Sequence, residues 1–151
     1  MKLTLYTDYS LRMLIFLALR EGRSTTVSDI ADAYGLSRNH LLKVALNLGR
    51  LGYVRTTRGR LGGIALAQLP EDINLGDVVR GTEDGFAMVE CQRSDGGTCV
   101  ISPACRLKGI VGKAVEAFLA VFDAYTLADI VANRTLLEAL LETPSTPPRA
   151  A

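Results

Sequence analysis

Cysteine is scarce in this chain, and all of it is in one place. Of 151 residues only three are cysteine, and Cys91, Cys99 and Cys105 fall in a single turn-rich stretch. An odd count argues against a disulfide framework. The first residues are mixed polar and tyrosine-bearing, not an apolar targeting run, so the expectation is a cytoplasmic chain with reduced thiols. No apolar run approaches the ~20 residues needed to span a bilayer. Net charge is only +1, so affinity for nucleic acid has to come from local charge. No internal repeat is present. Catalytic sets are missing too: there is no Ser-His-Asp arrangement, no phosphate-cradling P-loop and no paired-carboxylate site, and the sole histidine is His40. A protein that is not an enzyme is expected.

What is present is organised from the N-terminus. At 48% hydrophobic residues the chain can bury a proper core. Over residues 8–20, Leu11, Leu14, Ile15, Ala18 and Leu19 recur at three and four, the period of a helix. Thr7 is the expected N-cap, Asp8 suits the positive end of the dipole, and Gly22 ends the helix. Thr26-Val-Ser-Asp29 reads as a capping box opening a short helix through Tyr34, stopped by Gly35. Ser37 is the expected cap of the next helix, Arg38 to about Leu51, with Leu41, Val44, Ala45, Leu48 and Leu51 as its core stripe and Gly52 as its stop. Two short helices joined by a glycine-containing turn are the sequence form of a helix-turn-helix. The second begins Ser37-Arg38-Asn39-His40 and continues with Lys43, Asn47 and Arg50. Side chains able to read base edges or hold phosphates therefore cluster where a recognition helix meets the major groove. A solvated polar face is the plainer alternative.

The next stretch favours DNA. Tyr53 to Thr57 is β-prone, Arg58-Gly59-Arg60-Leu61-Gly62-Gly63 is a turn, and Ile64 to Ala67 returns, which makes a hairpin. From Arg38 to Gln68 there are six basic residues (Arg38, Lys43, Arg50, Arg55, Arg58, Arg60) and no Asp or Glu. A basic hairpin after a helix-turn-helix is a winged helix whose Arg58 and Arg60 suit phosphates or a narrow minor groove. The expected fold is mainly α with a small β wing. Residues 1–80 form the DNA-binding domain and include a short helix from Ile73 to Arg80 capped by Asn74.

Residues 81–106 make the cysteine loop. Seven residues separate Cys91 from Cys99 and five separate Cys99 from Cys105. Ser94-Asp95-Gly96-Gly97 and Pro103 give it turn chemistry. The spacing is that of neither a zinc ribbon nor a ferredoxin. Three thiolates are one ligand short of a closed site; His40, an acidic residue, water or a second chain could complete it. Three ordinary cysteines are the bland reading. A long helix follows to about Tyr125, with Leu107, Val111, Ala114, Phe118, Val121 and Tyr125 on one stripe and Ile110, Val115, Leu119 and Phe122 on a second. A helix apolar on two sides wants two partners, here the protomer's core and the same helix of a second chain. Residues 107–141 are thus the dimerisation helix and C-terminal helices, with a capping box at Thr126–Asp129 and a helix near Leu136 to Leu141. Residues 142–151, rich in proline, are read as a disordered tail.

Over about residues 1–141 the chain resembles the winged-helix iron–sulfur transcriptional repressors, the family of NsrR, IscR and RirA. The likeness is carried by Leu3-Thr4-Leu5-Tyr6-Thr7-Asp8-Tyr9-Ser10-Leu11-Arg12, by the wing Arg58 to Gly63, and by the three-cysteine loop. Gly35 to His40, Ser102 to Lys108 and Tyr125 to Val131 are most similar to the nitric-oxide-sensing NsrR branch. The resemblance implies a homodimeric repressor of a pseudo-palindromic operator. Its iron–sulfur cluster, 4Fe-4S with 2Fe-2S as the alternative, would be held by Cys91, Cys99, Cys105 and Asp8 of the partner subunit. Nitric oxide would attack the cluster and release the DNA. The seven-residue spacing, and Thr82 to Met88, fit the iron-responsive RirA branch better, so an iron-availability sensor is the nearest rival. A zinc-stabilised interaction protein using the three cysteines with His40 or Asp8 is the rival from another class.

Overall fold

The most deeply buried helix comes first in the chain, and the fold is built around it. The computed structural model describes residues 2–21, 23, 25–57, 62–93 and 95–142. Helix α1, Leu5–Leu19, buries Thr7, Ser10, Met13, Leu14, Phe16, Leu17, Ala18 and Leu19. These positions point to nearly every side of the helix, so α1 is a central helix rather than a one-faced one. Its buried hydroxyls are satisfied: Ser10 Oγ donates to the Tyr6 carbonyl at 2.8 Å, and the Thr7 and Thr82 hydroxyls are hydrogen-bonded at 3.1 Å. The N-cap is Thr4, not Thr7 as expected, because Thr4 is extended and its hydroxyl accepts from Thr7 N. Glu83 fixes it there, taking Thr4 N at 2.7 Å. The expected stop, Gly22, lies outside the described residues.

Helix α2, Val27–Tyr34, carries the expected capping box: Asp29 Oδ2 accepts from Thr26 N at 2.7 Å, and Asp29 N donates to Thr26 Oγ1 at 3.2 Å. Gly35 at φ +63° takes the left-handed position that closes it. Helix α3, Arg38–Arg50, is pinned by buried Leu41, Val44 and Leu48. Ser37 holds the N-cap position but its side chain makes no capping bond. Leu51, expected in the core stripe, is 39% exposed because it falls past the last turn. Strands β1, Val54–Thr57, and β2, Gly63–Leu66, pair antiparallel with Val54 opposite Leu66 and Thr56 opposite Ile64. Only Val54 and Ile64 are buried, and Ile64 N donates to the Thr25 carbonyl at 2.7 Å, seating the wing on the start of α2. Arg58 and Arg60, expected at its tip, lie outside the described residues.

After a 3-10 turn at Pro70–Asp72 comes α4, Leu75–Thr82, capped by Asn74 Oδ1 on Gly76 N and Asp77 N. Helices α5, Leu107–Asp123, α6, Leu127–Ile130, and α7, Arg134–Glu142, complete the described chain. The Thr126–Asp129 capping box is present. α6 returns to the core through Leu127, and Arg134 of α7 donates to the Ala18 and Leu19 carbonyls, satisfying the end of α1. The core thus joins α1, α3, α4 and α6 through Met13, Leu14, Leu41, Leu48, Val78 and Leu127. This is a winged helix with a helical extension, mainly α as expected. Among the described residues no helix is long and apolar enough to cross a membrane.

Helix α5 departs from this pattern, for none of its residues is buried. It is apolar on two sides, as expected, but the sides divide differently. Val111, Val115, Phe118, Leu119 and Phe122 are half-buried on the protomer side, while Leu107, Ile110, Ala114, Ala117 and Val121 are exposed. The outward set steps by three and four, which keeps one seam in line along a helix.

Candidate nucleic-acid interface and cysteine loop

The outer surface of α3 is positioned by its inner one. With Leu41, Val44 and Leu48 locked in the core, Ser37, Arg38, Asn39, His40 and Lys43 are all exposed. A second tie comes from α1, whose Tyr6 Oη donates to the Lys43 carbonyl at 3.1 Å. Burial is the main reason the Tyr6 phenol is pushed above its ordinary pKa. His40 stands with Lys43 beside a recess of about 240 Å³ lined also by Leu5, Tyr6, Tyr9 and Val44. Arg50 and Arg55 are exposed as well, and Arg55 Nε is held by the Leu66 carbonyl at 3.1 Å. Sequence reasoning missed Leu42 and Leu46, which stand open among these cations at 44% and 59% exposure. Projecting α3 around its axis, opposite the buried leucines, would have found them.

The cysteine loop is ordered by hydrogen bonds beside each thiol. Cys91 is buried in a 3-10 turn, Glu90–Gln92, while Cys99 and Cys105 are half-buried; all three are free. Glu90 Oε1 accepts from Thr98 N at 2.8 Å and from Thr98 Oγ1 at 2.7 Å, so the residue before Cys91 is joined to the residue before Cys99. Those bonds, the backbone one first, hold the Glu90 carboxyl below its usual range. The close approach requires glycine at 97. Its φ is +64°, and a Cβ there would stand 2.8 Å from the Glu90 carbonyl oxygen. Asp95 accepts from Gly97 N and pairs with Arg93 at 2.9 Å. A second turn joins Cys99 to Cys105 through Ser102, whose N donates to the Cys99 carbonyl at 3.0 Å.

Reduced thiols on one glycine-jointed loop are the soft donors that iron–sulfur clusters and zinc take, so the donor chemistry fits such a group. The side chains do not, however, form a closed ligand set within one chain. Among the described residues no three His, Cys, Asp or Glu are gathered to hold a metal ion. His40 belongs to the α3 surface. Asp8, expected as a dipole partner or a ligand, is engaged by Arg12 through Nε at 3.1 Å and through a terminal nitrogen at 2.9 Å.

Comparison with known proteins agrees with this arrangement. The profile of the Rrf2 family, described as iron-dependent transcriptional regulator, matches residues 3–133. The chain is 55% identical over 143 residues to the HTH-type transcriptional regulator NsrR of Bacillus subtilis, covering 94% of this chain and 98% of the relative. It is 53% identical over 142 residues to the NsrR of Bacillus licheniformis, covering 93% and 99%. Among solved structures it is similar to IscR of T. potens at TM-score 0.69 and 27% identity, with 88% of each chain covered. It is also similar to CymR, the global cysteine regulator of B. subtilis, at TM-score 0.66 and 27% identity, covering 88% and 98%. A winged helix whose α3 presents an exposed cationic face, matched along nearly its whole length by such regulators, belongs to the Rrf2 family of DNA-binding transcriptional regulators and not to a family of enzymes.

Proposed function

We propose that the chain is a homodimeric transcriptional repressor whose cysteine loop holds an iron–sulfur cluster and whose grip on operator DNA responds to nitric oxide. The observation that carries this reading is the likeness to regulators named NsrR at 53% and 55% identity, which runs through head, loop and α5 together. Cys91, Cys99 and Cys105 would hold the cluster, 4Fe-4S in preference to 2Fe-2S, with Asp8 of the partner subunit as fourth ligand. When bound, the cluster supplies iron that nitric oxide can ligate. A carboxylate is a hard donor among soft thiolates, so the ligand set is weakest at Asp8, which must also exchange its pairing with Arg12.

The remaining parts act through contacts on the chain itself. The outward seam of α5 (Leu107, Ile110, Ala114, Ala117, Val121) supports a twofold dimer and hence a pseudo-palindromic operator. Ser37, Arg38, Asn39, His40 and Lys43 would meet the major groove, and Arg58 and Arg60 the phosphates. The root of the loop is bonded to α1 by Glu83 on Thr4 and Thr82 on Thr7, and α1 is bonded to α3 by Tyr6 on Lys43. A displacement of the loop is therefore passed to the recognition helix through contiguous bonds, a two-site coupling.

A second reading, an iron-availability sensor of the same architecture, is favoured by the seven residues between Cys91 and Cys99 and by the family's iron-dependent description. Anaerobic visible absorption of the purified protein, followed by nitric oxide titration, separates the readings. A broad band that collapses at a few nitric oxide per cluster is expected. A band that survives nitric oxide and is lost to a mild chelator would favour iron sensing. A colourless protein holding zinc, and not reconstituted by iron and sulfide, would remove the cluster altogether.

A further inference from the structure

α3 exposes two leucines in the middle of the surface that a recognition helix presents. Leu42 is 44% exposed and Leu46 59%. With about 100° between successive residues, the direction opposite buried Leu41, Val44 and Leu48 carries Asn39, Leu46 and Arg50, with Leu42 and Lys43 to either side. The apolar pair therefore lies inside a cationic frame of Arg38, Lys43 and Arg50. It is not a continuation of the core, nor part of the α5 seam. Exposed leucine at the centre of a polar helix face costs hydration that a packing contact would relieve.

The occupant follows from the frame. No carboxylate occurs from Arg38 to Gln68, so the surroundings favour a polyanion over an acidic or mixed protein surface. On a DNA duplex the apolar feature of the major groove is the C5 methyl of thymine. We propose that Leu42 and Leu46 are specificity-determining residues that pack on thymine methyl groups of the operator half-site. This rests on the reading of α3 as the recognition helix and deepens it. Four residues of helix advance about 6 Å and each base pair about 3.4 Å, so the two methyls lie within about two base steps of each other. Asn39, one turn before Leu42, is of the type that pairs with adenine. The half-site is accordingly rich in A·T pairs where α3 enters.

The test removes methyls and nothing else. A duplex is selected from a randomised pool by the cluster-loaded protein, and each half-site thymine is replaced in turn by deoxyuridine. Removing a contacted methyl is expected to weaken binding about fourfold per half-site. Leu42→Ala should abolish the sensitivity at one position and Leu46→Ala at another, with secondary structure and oligomer size unchanged. Uracil tolerated at every position, or sensitivity undiminished in both variants, would overturn the proposal while leaving α3 a DNA reader. A change of oligomer size in either variant, with methyl sensitivity intact, would assign the leucines to a protein contact and overturn it likewise. Failure of the pool to yield any preferred sequence would instead defeat the recognition-helix reading, and this inference with it.

Discussion

The winged-helix head and the α5–loop region are built to different degrees of completeness. In the head, α1, α3 and α4 bury Met13, Leu14, Leu41, Leu48 and Val78 within one chain, and its helix ends are tied by side chains. In α5 no residue is buried, and Leu107, Ile110 and Val121 are more than half exposed. In the cysteine loop Glu90 is hydrogen-bonded to Thr98, and among the described residues no ligand set is gathered. A head whose core is closed with Leu127 of α6 can stay folded while α5 and the loop change state. Under the proposed function, the region left open for a second chain and a metal group is the one that would register their loss.

The sharpest way to break this contrast is to remove a thiol. Cys99→Ser is expected to abolish the visible absorption of the reconstituted protein while the far-ultraviolet dichroism of the helical head is kept. Loss of the helical signal as well would mean that head and loop are one folding unit. Truncating the core should do the reverse. Leu48 is fully buried, so Leu48→Ala should cost about 2–5 kcal/mol in urea unfolding, with the loop's chemistry intact in whatever fraction stays folded. A cost below ~1 kcal/mol would show that α3 is not held as described.

The same contrast explains what was legible in the sequence. The head announces itself by local signals. The Thr26–Asp29 box, Gly35, Asn74 and the paired β-prone segments of the hairpin each act over short stretches, and the structure shows all of them. The first miss has a long-range cause. Thr4 displaces Thr7 as N-cap because Glu83, far along the chain, holds it. Ser37 keeps its position without its bond, and Leu51 slips out of the core at the helix end. Two apolar faces on α5 were readable, but periodicity alone put Val111 and Phe118 with Leu107 and Val121. Only packing within the protomer separates them. For the site, residue types and spacing pointed to thiolate chemistry and a basic helix. They could not display Leu42 and Leu46, since exposure depends on which side the core claims.

Two further changes sharpen the comparison at smaller amplitude. Ile110→Glu puts a charge in the outward seam of α5 and should weaken dimerisation by about 2–3 kcal/mol. Sedimentation equilibrium would read this, and the protein should lose the dependence of its Tm on concentration. An unchanged dimer would move the interface off this seam. On the head, Arg60→Ala should weaken binding to all DNA sequences alike and reduce the salt slope by about 1. An unchanged slope would take Arg60 off the phosphate contacts.

The smallest effect is expected at the seam where the two regions are joined. Arg80 of α4 forks onto Asp123 at the end of α5, with its second nitrogen 2.7 Å from Oδ2, and Asn74 Nδ2 donates to the Asp123 carbonyl at 2.8 Å. Gly76 makes room, since a Cβ there would collide with the Asp123 carboxylate. The Arg80 guanidinium, hydrogen-bonding first, holds the Asp123 carboxyl below its usual range. A folded-state pKa below the unfolded one, about 3.9 for Asp, gives stability that is fully present above that value and is lost as pH falls through the folded pKa. Asp123→Asn should therefore lower Tm slightly at neutral pH, less than any core truncation because the pair is exposed. The gap between variant and wild type should close as the solution is acidified below the ordinary carboxylate range. A gap that stays constant down to strong acid would mean that the Arg80–Asp123 charge pair does not join α5 to the head, and that the seam is carried by Asn74 and by the backbone bonds from Leu75 N to the Tyr125 carbonyl at 3.0 Å and from Leu127 N to the Ile73 carbonyl at 2.9 Å.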